Sequence, residues 1–360
     1  MDKVLEDIFE LLLRKDLPFS FYFSPHEGEM KLIVQASNNT DLSDEILKSN
    51  DSGFIYRSFD KRRKPKFIRA DYSGNIENFT WQKFESLTDG SEISQPKINI
   101  VNDLEKIEYL KRVDAIVDRI EKEEVKKMVL SRVKTVSHDK SPVEIFLALH
   151  LKNPSAFTYL LRTDNGQIWL GASPEIILEK SGSRFNTVAL AGTVLNEESE
   201  DLFSPKNIEE QVLVQDYILS KLEKSSAKNI KHKQPKAHVA VNVTHIKTEI
   251  SFDLSRSDVE DVINLAEELH PTPAVGGLPE KIALKFIEEF ENHDRELYAG
   301  YLGPINLFGE TALYVNIRNA QYFEGHLRIY VGGGIIKGSD SEMEWQETEN
   351  KSYVMGQAIL

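Results

Sequence analysis

Apolar and polar residues alternate over short runs along much of this chain, with turn residues between the runs. FSFYFSP, MKLIVQAS, GFIYRSF and PKFIRADYS, all within the first hundred residues, predict strands, because a period of two turns one face toward a core. A polar, weakly patterned stretch over about 85–103 follows. Beyond it Leu104, Ile107, Leu110, Val113, Ile116, Val117 and Ile120 recur at helical spacing, with Asp103 as N-cap. KKMVLSRVKTV reads as a strand. SPVE opens a second helix, in which Ser141 and Glu144 form a capping box and Pro142 suits the first turn. AFTYLLR and QIWLGAS flank TDNG, the mark of a hairpin. Further strands are predicted at IILEK, RFNTVALAG, HVAVN, HIKTEIS, YLGPINL, TALYVNIRNA and LRIYVGG, and helices at about 206–224, 257–269, 280–290 and 340–357.

Strand hairpins with helices inserted in blocks predict an α+β fold with large, mainly antiparallel sheets. The strict strand–helix alternation of a doubly wound sheet is missing. The polar stretch is a weak boundary, and the residues alone leave one globule and two domains equally open. Composition then removes several classes of function. The 360 residues carry a net charge of −14, against the basic face of a nucleic-acid binder and against a polybasic membrane anchor. With no cysteine, disulfides, thiolate catalysis and Cys-based metal sites are out. The N-terminus MDKVLEDIFELLLRKDLPF has acids where a signal peptide needs a basic residue, and no run approaches the roughly 20 apolar residues of a membrane span. A soluble, cytoplasmic protein is expected.

Several polar residues stand out against this pattern. Lys127 falls in phase with Val129, Ser131, Val133 and Thr135 on its strand, so it is either a solvated strand-end charge or an inward-facing group. On the helix around EEQVLVQDY, Glu210 shares a face with Leu213, Val214 and Tyr217, at the edge of an apolar stripe or with a specific partner. Near the C-terminus, Ser339, Asp340 and Ser341 can cap a helix, with Glu342 or Glu344 completing a box. Glu344, Glu347 and Lys351 then lie close to one face, which alone reads as a solvated ion-pair ladder. A strand ending at Gly332, Gly333 and Gly334 just before that helix would let backbone N–H groups approach a ligand, though not with the spacing of a nucleotide fingerprint. Two acids on separate helices would suit Mg²⁺, whereas zinc has no support. Glu175 follows Ser173-Pro174 at a break between strands, and if enclosed it becomes a proton donor near neutral pH. LHPTPAVGGLPEK is an unusually elaborate connector, stiffened by prolines around Gly276 and Gly277.

Taken together, KMVLSR, GASPE, ALAGT, EQVLV, HIKT, LHPTPAVGGLP, DRELYAG, NIRNA, GGGI and EWQETENK occur in one order over about residues 105–357. In this the chain resembles the chorismate-utilising enzymes, the family of isochorismate synthase, salicylate synthase, anthranilate synthase component I and aminodeoxychorismate synthase component I. The resemblance implies a single domain over residues 1–360, with residues 1–100 as divergent N-terminal strands and 105–357 as the catalytic core. It implies two large antiparallel sheets packed together with helices outside.

Its members differ in what attacks ring carbon 2 of chorismate. Water-using members resemble this chain in having lysine where Lys127 stands; the aminating members have glutamine and a glutaminase partner. Ala191 also precedes Gly192-Thr193, where aminodeoxychorismate synthases often carry a nucleophilic lysine. The resemblance therefore implies an isochorismate synthase, with a salicylate synthase as the nearest alternative and an aminating enzyme or a non-catalytic chorismate-binding relative behind it. By position, Lys127 would deprotonate water and Glu175 would protonate the departing C4 hydroxyl. Glu210 and Glu347, with Glu344 as a further ligand, would hold Mg²⁺. Arg318 and Tyr298 would grip the enolpyruvyl carboxylate, Gly332, Gly334 and Lys351 would assist, and Thr193, His245 and Thr248 would line the pocket. No glutaminase subunit is implied, and a monomer is expected. Three positions depart from the family pattern: Gln211 where His is frequent, Gly333 where Ala is usual, and Asn319 where Cys or Ser is common.

Overall fold

The computed structural model describes residues 2–47, 50–76, 105–195, 202–240, 243–254 and 258–360. A helix, Asp2–Arg14, opens the chain. Strands β1 (Phe19–Phe23), β2 (Lys31–Val34), β3 (Gly53–Arg57), β4 (Lys66–Arg69) and β5 (Tyr72–Asn75) follow. After helix Lys106–Glu121 come β6 (Lys127–Ser137), helix Pro142–Lys152, β7 (Phe157–Arg162), β8 (Ile168–Ser173), β9 (Ile176–Ser181) and β10 (Arg184–Leu195). Helix Pro205–Lys224 leads to β11 (Ala227–His232), β12 (Lys236–Ala240) and β13 (Val243–Leu254). Helix Val259–Leu269, the short β14 (Gly277–Leu278) and helix Glu280–Phe290 precede β15 (Tyr301–Ile305), β16 (Ala312–Val315), β17 (Asn319–Phe323) and β18 (His326–Ile336). Helix Ser341–Ile359 closes the chain. None of the described helices is long and apolar enough to cross a membrane.

The strands form two nine-stranded antiparallel sheets. The first runs β14-β6-β18-β17-β8-β7-β1-β2-β5, and the second β11-β13-β10-β9-β16-β15-β3-β4 with β12 beside β13. N-terminal strands extend both: β1 pairs with β7, and β3 with β15. One apolar core lies between the sheets and includes Phe54, Phe157, Trp169, Leu178, Phe252 and Tyr301. A second lies outside the first sheet, where Leu5, Phe9, Phe146 and Met355 from three helices cover Phe21, Leu170 and Val331. Each such side chain, fully buried, contributes on the order of 2 kcal/mol, so both cores are needed to order a chain of this length.

Several sequence readings hold in detail. The Ser141–Glu144 capping box forms with Pro142 at the helix start, and TDNG closes the β7–β8 hairpin. Others change. Helix Lys106–Glu121 begins after Glu105, which makes no side-chain cap; Asp103 and Leu104 lie outside the described residues. Its buried face is Tyr109, Val113, Ile116 and Ile120, whereas Ile107 is exposed, so the apolar stripe starts on a tyrosine. On helix Pro205–Lys224 the buried residues are Gln211, Val214, Ile218 and Leu222, and Leu213 faces out. Gln211 enters the core because its amide donates to the Ala189 carbonyl at 3.1 Å and the Thr248 hydroxyl at 3.0 Å. TALYVNIRNA is two strands, broken at Asn316–Arg318 where the chain passes from the second sheet to the first. The strand bearing the three glycines does not end there; β18 runs through them to Ile336, fully paired with β6.

Candidate active site

Two crossovers between the sheets build one wall of the site. Between β8 and β9 lies Glu175, and between β16 and β17 lies Arg318, held at φ +54°. The two corners are laced together: the Ala172 N–H donates to the Arg318 carbonyl at 3.0 Å, and the Val315 N–H to the Glu175 carbonyl at 2.9 Å. Asn316 then ties this pair of corners to the segment carrying Tyr298. Its side-chain amide donates to the Leu297 carbonyl at 2.9 Å, and its backbone exchanges hydrogen bonds with Ala299 and Gly300. An acid, a guanidinium and a phenol are thus set side by side by backbone rather than by flexible stems.

The other wall is the end of β6 with β18 and the C-terminal helix. Lys127 starts β6, and its last side-chain carbon lies 3.3 Å from where a Cβ on Gly334 would sit. A Cβ on Gly332 would lie 2.9 Å from the Tyr298 hydroxyl, and one on Gly333 2.8 Å from Glu344 Oε2. The glycine run therefore makes room for side chains on both faces of the sheet. Val129 and Ser131 direct their backbone groups away from β18. Their partners Gly334 and Gly332 therefore turn theirs away from β6, beyond the last β17 pair at Tyr330. This is compatible with the expectation that these glycines present backbone N–H groups to a ligand. From the helix, Lys351 donates to the Gly332 carbonyl at 2.9 Å and pairs with Glu347. Asp340 is the N-cap, accepting from the Met343 N–H at 2.9 Å, while Glu344 accepts the Ser339 hydroxyl at 2.7 Å and Glu342 pairs with Lys106.

Mutual electrostatics show how close these groups stand. Burial raises Glu175 above the usual carboxylate range, against the pull of Arg318, Lys127 and Lys351. Burial likewise lowers Arg318, opposed by Tyr298, Glu347 and Glu175, and lowers Lys351, opposed chiefly by Glu347. Tyr298 is pushed up to about 12 by burial and stays a hydrogen-bond donor at neutral pH. Glu344 rises to about 7, first through burial, with the Ser339 hydroxyl opposing and Glu347 adding repulsion. Lys127, Glu175, Tyr298, Arg318, Gly332, Gly334, Glu344, Glu347 and Lys351 thus converge. Thr248 instead is fully buried beneath helix Pro205–Lys224, with its hydroxyl accepting from Gln211. The side chains of Thr193, Glu210 and His245 lie outside those described, although Thr193 and His245 are backbone partners across β10 and β13.

Among the described residues no three His, Cys, Asp or Glu side chains come together as a metal cage. Mg²⁺ does not need one, because it keeps several waters and is held by one or two carboxylates plus an anionic ligand. Glu344 and Glu347 fit that mode, since Glu344 Oε2 is buried with no hydrogen-bond partner and its neighbour is a second carboxylate. Tyr109, beside Glu344 and Gly333, went unassigned from sequence, as did Asn316. Tyr109 was hidden in an apolar helical stripe, and Asn316 inside an apparently continuous strand.

The model of the chorismate binding enzyme family matches residues 64–360. Isochorismate synthase EntC of Escherichia coli (strain K12) is 32% identical over 243 residues, 64% of this chain and 62% of that protein, so the chain spans less than two thirds of that relative. Among solved structures, the 2,3-dihydroxybenzoate-specific isochorismate synthase DhbC of Bacillus anthracis superposes with a TM-score of 0.75 at 24% identity, over 99% of both chains. The menaquinone-specific isochorismate synthase MenF of Escherichia coli gives 0.76 at 22% identity, over 99% of this chain and 92% of its own. At these identities the structural likeness shows the fold.

Proposed function

We propose that this chain, which belongs to the chorismate-binding enzyme family, is an isochorismate synthase, an isomerase that moves the hydroxyl of chorismate from C4 to C2. The observation that carries the reading is the pairing of Lys127 at the mouth of β6 with a half-buried Glu175, whose carboxyl is raised above the usual range by desolvation, across the same site. As water bonds to C2 it gives a proton to the Lys127 amine, which must be neutral at that moment. The ring double bonds shift, the C4–O bond breaks, and the departing hydroxyl takes the Glu175 proton and leaves as water. Atoms and charge balance, and the reverse reaction uses the ammonium as acid and the carboxylate as base. Arg318 and the Tyr298 hydroxyl would hold the enolpyruvyl carboxylate, the guanidinium by its planar fork. Lys351 would lend positive charge from the helix.

Glu210 and Glu347, with Glu344 as a further ligand, would hold Mg²⁺, and Mg²⁺ bound there would supply positive charge for the ring carboxylate. Water as nucleophile removes any need for a glutaminase subunit, so a single cytoplasmic chain suffices in this reading. Of the relatives named above, MenF is menaquinone-specific and DhbC 2,3-dihydroxybenzoate-specific, and either route would consume the proposed product. The test is product analysis after incubation with Mg²⁺ and chorismate, for the native chain and Lys127→Gln. Isochorismate is expected, with the variant losing at least a hundredfold in rate while still binding chorismate. Stoichiometric salicylate and pyruvate, or undiminished turnover by the variant, would sink it.

A further inference from the structure

Strand β6 carries the proposed base, yet among the described residues it has a regular partner on its outer side only at its first residues. There β14 supplies Gly277 opposite Met128 and Leu278 opposite Lys127. The flanking bonds are Lys126 N–H to the Leu278 carbonyl at 2.8 Å and Val129 N–H to the Gly276 carbonyl at 3.0 Å. One step further along, the backbone groups that face outward are the Val129 carbonyl and the Ser131 N–H. Among the described residues no strand meets them. Arg295 Nη2 donates to the Val129 carbonyl at 2.8 Å, and Glu291 accepts the Ser131 N–H at 2.7 Å. Arg295 Nη1 reaches back to the Val275 carbonyl at 2.8 Å, and its Nε donates to Glu291 at 2.8 Å. Both side chains are 2% exposed.

We infer that Glu291 and Arg295 are positioning residues that continue the β6 ladder where β14 stops, and so fix where Lys127 points. A buried ion pair is a poor source of stability, because desolvation offsets most of its attraction. What it offers here is geometry: two rigid, charged hydrogen-bonding forks that reproduce the donor and acceptor of a missing strand. The same arginine ties in the other wall of the site. Its carbonyl accepts the Tyr298 N–H at 2.8 Å, and its guanidinium stacks on Phe59 with the ring centre 4.2 Å away. Base and phenol are thereby referenced to one residue, although neither Glu291 nor Arg295 touches the reacting atoms.

This inference rests on the isochorismate synthase reading for its kinetic consequence but not for its structural one. Two substitutions test it. In Arg295→Lys a single ammonium cannot reach two carbonyls and a carboxylate in fork geometry; Glu291→Gln turns an amide donor toward the Arg295 Nε. Each is expected to lower kcat at least tenfold with KM for chorismate changed less than threefold. Hydrogen exchange at the Ser131 amide should accelerate at least tenfold. Arg162→Lys serves as a control, because Arg162 forms another buried ion pair, with Asp16, remote from the site. It should cost stability without lowering kcat. A native kcat in both variants, or a kcat loss in Arg162→Lys matching theirs, would show the pair to be merely structural. The exchange measurement needs no turnover, so it stands or falls independently of whether the native protein isomerises chorismate.

Discussion

At the scale of single residues, the chemistry turns on which groups keep their protons. Glu175 is enclosed between two sheet crossovers, and burial outweighs three nearby cations in setting its protonation. In its proposed role as general acid it would work only while protonated. The proposed chorismate-to-isochorismate activity should therefore fall as pH rises through its raised value, and hold on the acidic side of it. Glu175→Gln removes the transferable proton and is expected to lower kcat by about 10²–10⁴. It should also abolish the alkaline limb of the pH–rate profile, and an unchanged limb in the variant would reassign it to another group. Much of this was legible in the sequence, because Ser173-Pro174 marks a break between strands and places an acid at a corner. Its enclosure was not legible. That depends on Arg318 arriving at the neighbouring crossover, from a segment whose alternation reads as unbroken strand.

At the scale of elements, the loop between helix Val259–Leu269 and helix Glu280–Phe290 shows what composition signals and what it withholds. Prolines and glycines announce a rigid, unusual connector, and the structure gives its purpose: it lays β14 against the strand of Lys127. Gly277 sits at φ +141°, where a Cβ would run into the Lys127 carbonyl oxygen and come within 2.8 Å of Ala283. Only glycine allows that approach. Gly277→Ala is expected to cost more than about 1 kcal/mol of stability and, by pushing β14 off β6, to lower kcat as well. Urea unfolding alongside turnover checks both; a variant of native stability and rate would mean the two strands tolerate separation. Pairing between segments about 150 residues apart leaves no trace in local periodicity, which is why the loop could be noticed but not explained. The three glycines of β18 failed differently. Their freedom suggested an end to the strand, whereas each clears space for a side chain from another element.

At the scale of the whole molecule, the first hundred residues carried the least information, yet they complete both sheets. Their junction with the core is built from buried charge and one buried imidazole. Arg57, 1% exposed, binds Glu267, which also accepts the Tyr301 hydroxyl at 2.8 Å. Beside them His270 lies against Phe59 and Tyr301, its Nε2 3.2 Å from the Phe59 carbonyl. Burial first, then Arg57 and Lys61, lowers its pKa to about 3, so the folded protein holds it neutral. The unfolded chain protonates it near the ordinary value of about 6.5. Across the window between, the unfolded state binds one more proton, and stability falls as pH falls, by up to about 1.4 kcal/mol per pH unit. Carboxylates held down by lysines, such as Glu249 at about 2 beside Lys233 and Lys236, lose their contribution only at lower pH. Urea midpoints measured between pH 7 and pH 5 should therefore decline in the native chain and decline less in His270→Gln. Parallel declines would place the acid-sensitive proton elsewhere, and the junction of N-terminal strands and core would then not be what acid opens first.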